Sequence, residues 1–349
     1  MKSSPRKITF LAEEFALSSP TQQLLDRFLL GYPVDGAFHR MENCEIALHL
    51  AVPSSNHGLL DARQSMGLKM YPEFHEALHD AEAAIVVPRG DGAQATESLV
   101  RAAVENIAPG GTCFVHGVLA NGTEMAKSLA ALAESRRVSL LAGTPTSVTW
   151  RLPEISVPHG ARVNDSLIVV QGSFPFAELH ALEGVLPFLE SRRGGESGVR
   201  SVRLWEGDEV WRARDRRDWP EDLMAAALSR SDTPLGDPVL DGRTQDLVGL
   251  GLVPKLAHEP RCWSLTHQDG TRSTLLVLNG VVKDFNVAIR IESDRILSTQ
   301  LFRPPTQAES HYDRLASAIE AFVRGEKSWS LKRNLLIVDL LTQFRSAKS

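Results

Sequence analysis

Cysteine is scarce: Cys44, Cys113 and Cys262 are the only three in 349 residues, an odd number at wide spacing. That excludes a disulfide framework and a zinc knuckle, and makes a reducing compartment the default. No apolar run approaches the roughly 18 residues of a membrane span. The N-terminal MKSSPRKITFLAEEF is interrupted by Glu13 and Glu14 before a signal-peptide core can form. A soluble, cytoplasmic protein is expected. Neither sign of charge dominates: 38 basic against 43 acidic residues leave −5, which argues against a nucleic-acid or membrane-surface binder. Even the most basic stretch, Arg192 to Asp218, sets six acids against eight arginines and reads as a solvated surface. There is no G-x-S-x-G, phosphate-binding P-loop, C-x-x-C or EF-hand loop.

What is present is an ordinary globular composition, 43% hydrophobic and 23% charged, in a chain long enough for two domains. Over residues 1–145 short apolar runs (KITFL, Glu45–Leu50, AAIVV, Thr112–Val115, Ser139–Ala142) alternate with helical patterns, the last of them capped by Asn121 or Thr123. This spacing predicts βαβ units around a doubly wound parallel sheet, a Rossmann-like domain. Residues 146–349 change character. Strands are expected at Ser166–Gln171, Val199–Trp205, Glu209–Ala213 and four later runs between Cys262 and Phe302, with a hairpin turn at Asp269-Gly270. Helices are expected at Ala177–Leu189, Pro220–Leu228, Tyr312–Arg324 and Leu331–Phe344, and a long loop over Asp232–Gln245. This half reads as an α+β domain on a mostly antiparallel sheet.

The first half carries AAIVVP, GGTCFVHGVLA and SLLAGTPTSVTWRLPEI. The second carries LHALEGVLPFLESRRGGESGVRSVRLWEGDEVW, VLNGVVKDFNVAIRI and RNLLIVDLL. In layout and in these stretches the chain resembles the glucose–fructose oxidoreductase / inositol dehydrogenase (Gfo/Idh/MocA) family. The resemblance implies a sugar- or polyol-type small-molecule substrate. It also implies homo-oligomers formed through the outer face of the second-domain sheet, or a hetero-oligomer with a related dehydrogenase. Trp205, Trp211 and Trp219 are expected on a sheet face or at such a contact.

Three elements that the family uses for its dinucleotide are missing. The first strand–helix turn, Ala12 to Pro20, has no glycine and carries Glu13 and Glu14 where a pyrophosphate would approach. The second strand ends in Leu50-Ala51-Val52-Pro53, without an acid for the ribose. His116-Gly117-Val118 stand where the resemblance places a Glu-Lys-Pro turn. No nicotinamide cofactor is therefore expected, or only one held atypically. The activity anticipated is proton transfer (elimination or epimerisation), with a non-catalytic binding protein or pseudoenzyme subunit as the alternative.

The resemblance places a cleft-facing histidine on the first helix of the second domain, and His180 occupies that position. Glu183 shares its helical face and can shuttle a proton with it. His116 is a second acid/base candidate. Arg151, matched to an arginine-proline segment, is a candidate for holding a substrate carboxylate or hydroxyls. Arg192, Arg193 and Glu196 lie in a glycine-containing loop after the His180 helix and are further substrate-binding candidates. His75-Glu76-Ala77-Leu78-His79 spells the zinc-protease H-E-x-x-H, but Pro72 and the AAIVV strand leave barely two helical turns, and no metal site is expected there.

Overall fold

The computed structural model describes residues 6–52, 57–89, 93–232, 247–304, 310–326 and 328–348. The chain divides into two compact units, residues 1–148 with 304–342, and residues 149–303 with 343–349.

The first unit runs β1 (Arg6–Ala12), α1 (Pro20–Leu30), β2 (Tyr32–Val34), β3 (Ala37–His39), β4 (Cys44–Leu50), α2 (His57–Ser65), β5 (Lys69–Met70), α3 (Phe74–Leu78), β6 (Ala83–Val87), α4 (Ala93–Asn106), β7 (Thr112–His116), α5 (Thr123–Arg136) and β8 (Ser139–Gly143). Six strands pair in the order β5-β4-β1-β6-β7-β8, all parallel. Both faces are covered, as parallel sheets require: Ile8, Phe10 and Ala12 of β1 enter one core, Leu11 the other. Helix α1 starts where Ser19 caps it and Pro20 pre-sets its first turn, and stops at Gly31 with φ +96°. The N-cap of α5 is Gly122, not Asn121 or Thr123, and it offers no side-chain cap.

The second unit continues with β9 (Trp150–Leu152), β10 (Val163–Val170), α6 (Phe176–Leu189), β11 (Val199–Glu206), α7 (Asp208–Asp215), α8 (Glu221–Leu228), α9 (Val253–Leu256), β12 (His258–His267), β13 (Arg272–Asn279), β14 (Phe285–Ile291) and β15 (Ile296–Phe302). Seven strands pair in the order β11-β12-β13-β10-β14-β15-β9, antiparallel except for β10 beside β13. Glu209–Ala213, expected as a strand, is instead the body of α7. Two acids in its first turn favour a helix N-terminus, and Val210, Trp211 and Ala213 form one buried stripe. The polar stretch expected as a loop over Asp232–Gln245 lies outside the described residues beyond Asp232.

Helices of the same unit pack on one face of this sheet. Trp205, Trp211, Trp219, Leu223, Met224 and Val253 pack with Leu167, Val169, Cys262, Leu276 and Ala288 of the sheet in a single core. Helix α6 packs on β10, β13 and β14 but contributes nothing to that core, so it covers the opposite face.

Two further helices, α10 (His311–Val323) and α11 (Leu331–Lys348), end the chain. The expected boundary at 145/146 falls near the observed one, but residues 304–342 return to the first unit. Leu315, Ala316, Ile319 and Phe322 of α10 share the core of β1 and α1, an apolar surface the N-terminal residues leave uncovered.

Candidate functional site

In the second unit the candidate chemistry gathers where β10 leaves the sheet and α6 begins. Gly172, at φ +132°, turns the chain; its N–H donates to Asn279 Oδ1 at 2.7 Å. One turn into α6, the His180 ring lies 5.6 Å from the ring of Phe285, at the start of β14. Arg303, just beyond β15, places its guanidinium 4.6 Å from the same ring. The Phe285 ring thus contacts both a histidine and an arginine. The Lys283 carbonyl accepts from Arg303 Nη2 and from Gln171 Nε2, each at 3.3 Å, tying the three strand ends together.

Glu183 lies on the His180 helix and is 1% exposed. Glu178 is fully buried: its Oε1 accepts from Arg261 Nε at 2.9 Å and from Trp263 Nε1 at 3.2 Å. Its Oε2 has no hydrogen-bond partner among the described residues.

Arg151 is not beside His180. Its guanidinium lies 4.0 Å over the Phe188 ring and donates to the Ile155 carbonyl at 3.2 Å. Phe188 is two helical turns past His180, about 12 Å along the axis.

Arg192, Arg193 and Glu196 sit at the opposite end of the sheet, because α6 runs back along β10 before the loop that carries them. Arg192 is 3% exposed and its N–H groups are engaged internally: with Asp269 at 2.7 Å, Glu196 at 3.1 Å and Ser197 at 3.1 Å. Glu196 Oε1 meets His267 Nδ1 at 3.2 Å, and His267 Nε2 meets Ser273 Oγ at 2.9 Å. Burial works to raise the Glu196 carboxyl, but the hydrogen bonds from His267 and Arg192 outweigh it and hold it at about 2. Arg193 is exposed, 3.8 Å from Glu292. These three residues close a loop onto strand ends and do not join His180.

In the first unit, His116 ends β7, stacked on Tyr312 of α10 with ring centroids 6.0 Å apart. Its Nε2 is buried without a hydrogen-bond partner among the described residues. Burial first, and then the neighbouring His311, lower its pKa to about 4. Burial raises Tyr312 to about 12. His116 is therefore neutral at pH 7. The H-E-x-x-H stretch forms only the five-residue α3, and His79 lies beyond it, paired with Asp80 at 2.9 Å.

The turn from β1 to α1 is where a dinucleotide's pyrophosphate would be cradled in this kind of sheet. Three of its backbone donors are already engaged. Ala16 and Gln22 N–H groups donate to Ser19 Oγ at 3.2 Å each, and Ser18 N–H donates to Gln22 Oε1 at 2.6 Å. Glu13 is buried and accepts from the Arg89 N–H, while Glu14 pairs with the Arg89 side chain at 3.4 Å. These residues do not fit a pyrophosphate held in the glycine-loop manner. Of the two carboxylates expected to oppose it, only Glu14 faces solvent.

No family profile and no curated protein matches the sequence. Solved structures do match. A myo-inositol dehydrogenase from Lactobacillus casei, in complex with NAD(H) and myo-inositol, aligns over 99% of this chain and 94% of its own, with TM-score 0.60 and 12% identity. A biliverdin reductase from Synechocystis, in complex with biliverdin and NADP+, aligns over 98% and 99%, with TM-score 0.55 and 12% identity. A UDP-N-acetylglucosamine 3-dehydrogenase from Acidithiobacillus ferrooxidans aligns over 98% and 97%, with TM-score 0.55 and 11% identity. The expectation of no nicotinamide cofactor is overturned by the first two of these neighbours, which hold NAD(H) or NADP+ on the same architecture. In open α/β sheets a dinucleotide is bound across several strand ends, so an altered first turn is not by itself evidence against one. From end to end, the chain has the two-part fold of the Gfo/Idh/MocA-type dehydrogenases.

Proposed function

We propose that the protein is a nicotinamide-dependent oxidoreductase acting on a sugar- or polyol-like small molecule, with the dinucleotide held by contacts other than a glycine-rich turn. The observation that carries this reading is His180, seated on Phe285 at a strand end of the second unit in a fold shared with inositol and sugar-nucleotide dehydrogenases. A histidine so placed accepts the proton of a substrate hydroxyl, which is the part of the chemistry this chain supplies. Proton transfer without net oxidation is the second reading, favoured by the engaged donors of the β1–α1 turn. Assembly with itself or with a related dehydrogenase remains part of this reading.

The test is to incubate the protein with NAD+ or NADP+ and a panel of polyols and to follow reduced nicotinamide. Net formation of NADH or NADPH is expected, and His180→Ala lowers turnover by roughly 10²–10⁴-fold. Conversion of a polyol with no net cofactor reduction selects the second reading. Turnover untouched in His180→Ala removes His180 from both.

A further inference from the structure

Arg303 differs from several arginines of the second unit. Arg192, Arg261, Arg272 and Arg290 all have carboxylate partners in the second unit. Among the described residues, Arg303 has none within 4.0 Å. Among the described residues its one hydrogen bond is to the Lys283 carbonyl, and its guanidinium lies over the Phe285 ring. The carboxylate whose field reaches it, Asp284, is occupied elsewhere. Asp284 accepts from Ser231 Oγ at 2.9 Å, Asn286 Nδ2 at 2.7 Å, Gln300 Nε2 at 2.8 Å and Asp232 N–H at 3.0 Å. Packing around the guanidinium lowers the Arg303 pKa against the pull of Asp284, while the residue as a whole is exposed, so a ligand can reach it. Lys283, in the same turn, adds positive charge.

We propose that the small molecule bound at His180 carries an anionic group, a carboxylate or a phosphate, and that Arg303 receives it across the Phe285 ring. This rests on the reading of His180 as the substrate-side residue and narrows its substrate class from polyols to acidic polyols. A planar guanidinium fixed on an aromatic face presents its remaining N–H pairs in one direction, the arrangement that binds a carboxylate or phosphate bidentately. The histidine and the anion site both border the Phe285 ring, so one sugar-sized molecule can span the two.

The full-length protein is titrated calorimetrically with D-glucuronate, D-glucose 6-phosphate, D-glucose, myo-inositol and inorganic phosphate. At least one anionic sugar is expected to bind about tenfold or more tightly than its neutral counterpart, as a charge-assisted pair requires. Glucuronate and glucose 6-phosphate tell a carboxylate from a phosphate. Arg303→Gln levels the difference, and Arg303→Lys keeps part of it. Neutral sugars binding as tightly as anionic ones, or Arg303→Gln retaining the preference, overturns the assignment and leaves the polyol reading standing. Arg303-dependent phosphate binding with no sugar bound supports the anion site and removes the polyol reading. Binding of none of the probes overturns both.

Discussion

At pH 7 His116 is neutral, because burial and the neighbouring His311 draw its pKa down to about 4. An unfolded histidine titrates near 6.5, so between the two values the unfolded chain binds a proton that the folded chain does not. Stability contributed by this residue is therefore full above about pH 6.5 and is lost as pH falls toward 4. His116→Phe, which keeps the stacking on Tyr312, should flatten that part of the stability–pH curve; a slope unchanged in denaturant titrations across this range would refute the assignment. Glu178 makes a different case. Its carboxylate neutralises the nearly buried Arg261, so Glu178→Ala should cost about 3–5 kcal/mol in chemical denaturation by leaving a buried cation unpaired. Adding Arg261→Met should recover much of the loss.

Helix α10 opens with a capping box, in which Ser310 Oγ accepts from Tyr312 N–H at 3.1 Å and Asp313 reaches back to the Ser310 N–H. Ser310 also accepts from Arg27 Nη2 at 2.7 Å, pinning the helix start to α1. Ser310→Ala should cost about 1–2 kcal/mol, read as a shift in the denaturation midpoint. The main elements of the βαβ half were legible because short, unbroken apolar runs alternate there with helical periods. The β2–β3 hairpin escaped notice although its turn is Asp35-Gly36, both at positive φ, flanked by strands of only three residues each. Helix α7 was misread for the opposite reason: Val210 and Trp211 favour strands, and burial of a helical stripe overrode that preference.

The first unit is completed by the C-terminal segment. Without α10 the apolar faces of Phe10, Phe28 and Leu25 would lose Leu315, Ile319 and Phe322 from their core. A chain ending at Arg303 should therefore lose cooperative unfolding and bind hydrophobic dye, whereas a soluble truncated chain with a sharp transition would show that the segment is dispensable. No helix among the described residues is long and apolar enough to cross a membrane.

By itself the sequence determined the alternation of strands and helices, the change from parallel to antiparallel sheet, the altered first turn and the position of His180 on α6. Each is written in residues close together along the chain, through hydrophobic period, turn chemistry and helix capping. Tertiary structure alone decided that α10 returns to the first core and that Arg192 turns inward to Asp269, at the far end of the sheet from His180. It also decided that His180 and Arg303 both lie against the Phe285 ring. Those outcomes depend on strand order and on which distant side chains satisfy one another, and neither leaves a local pattern for the sequence to carry.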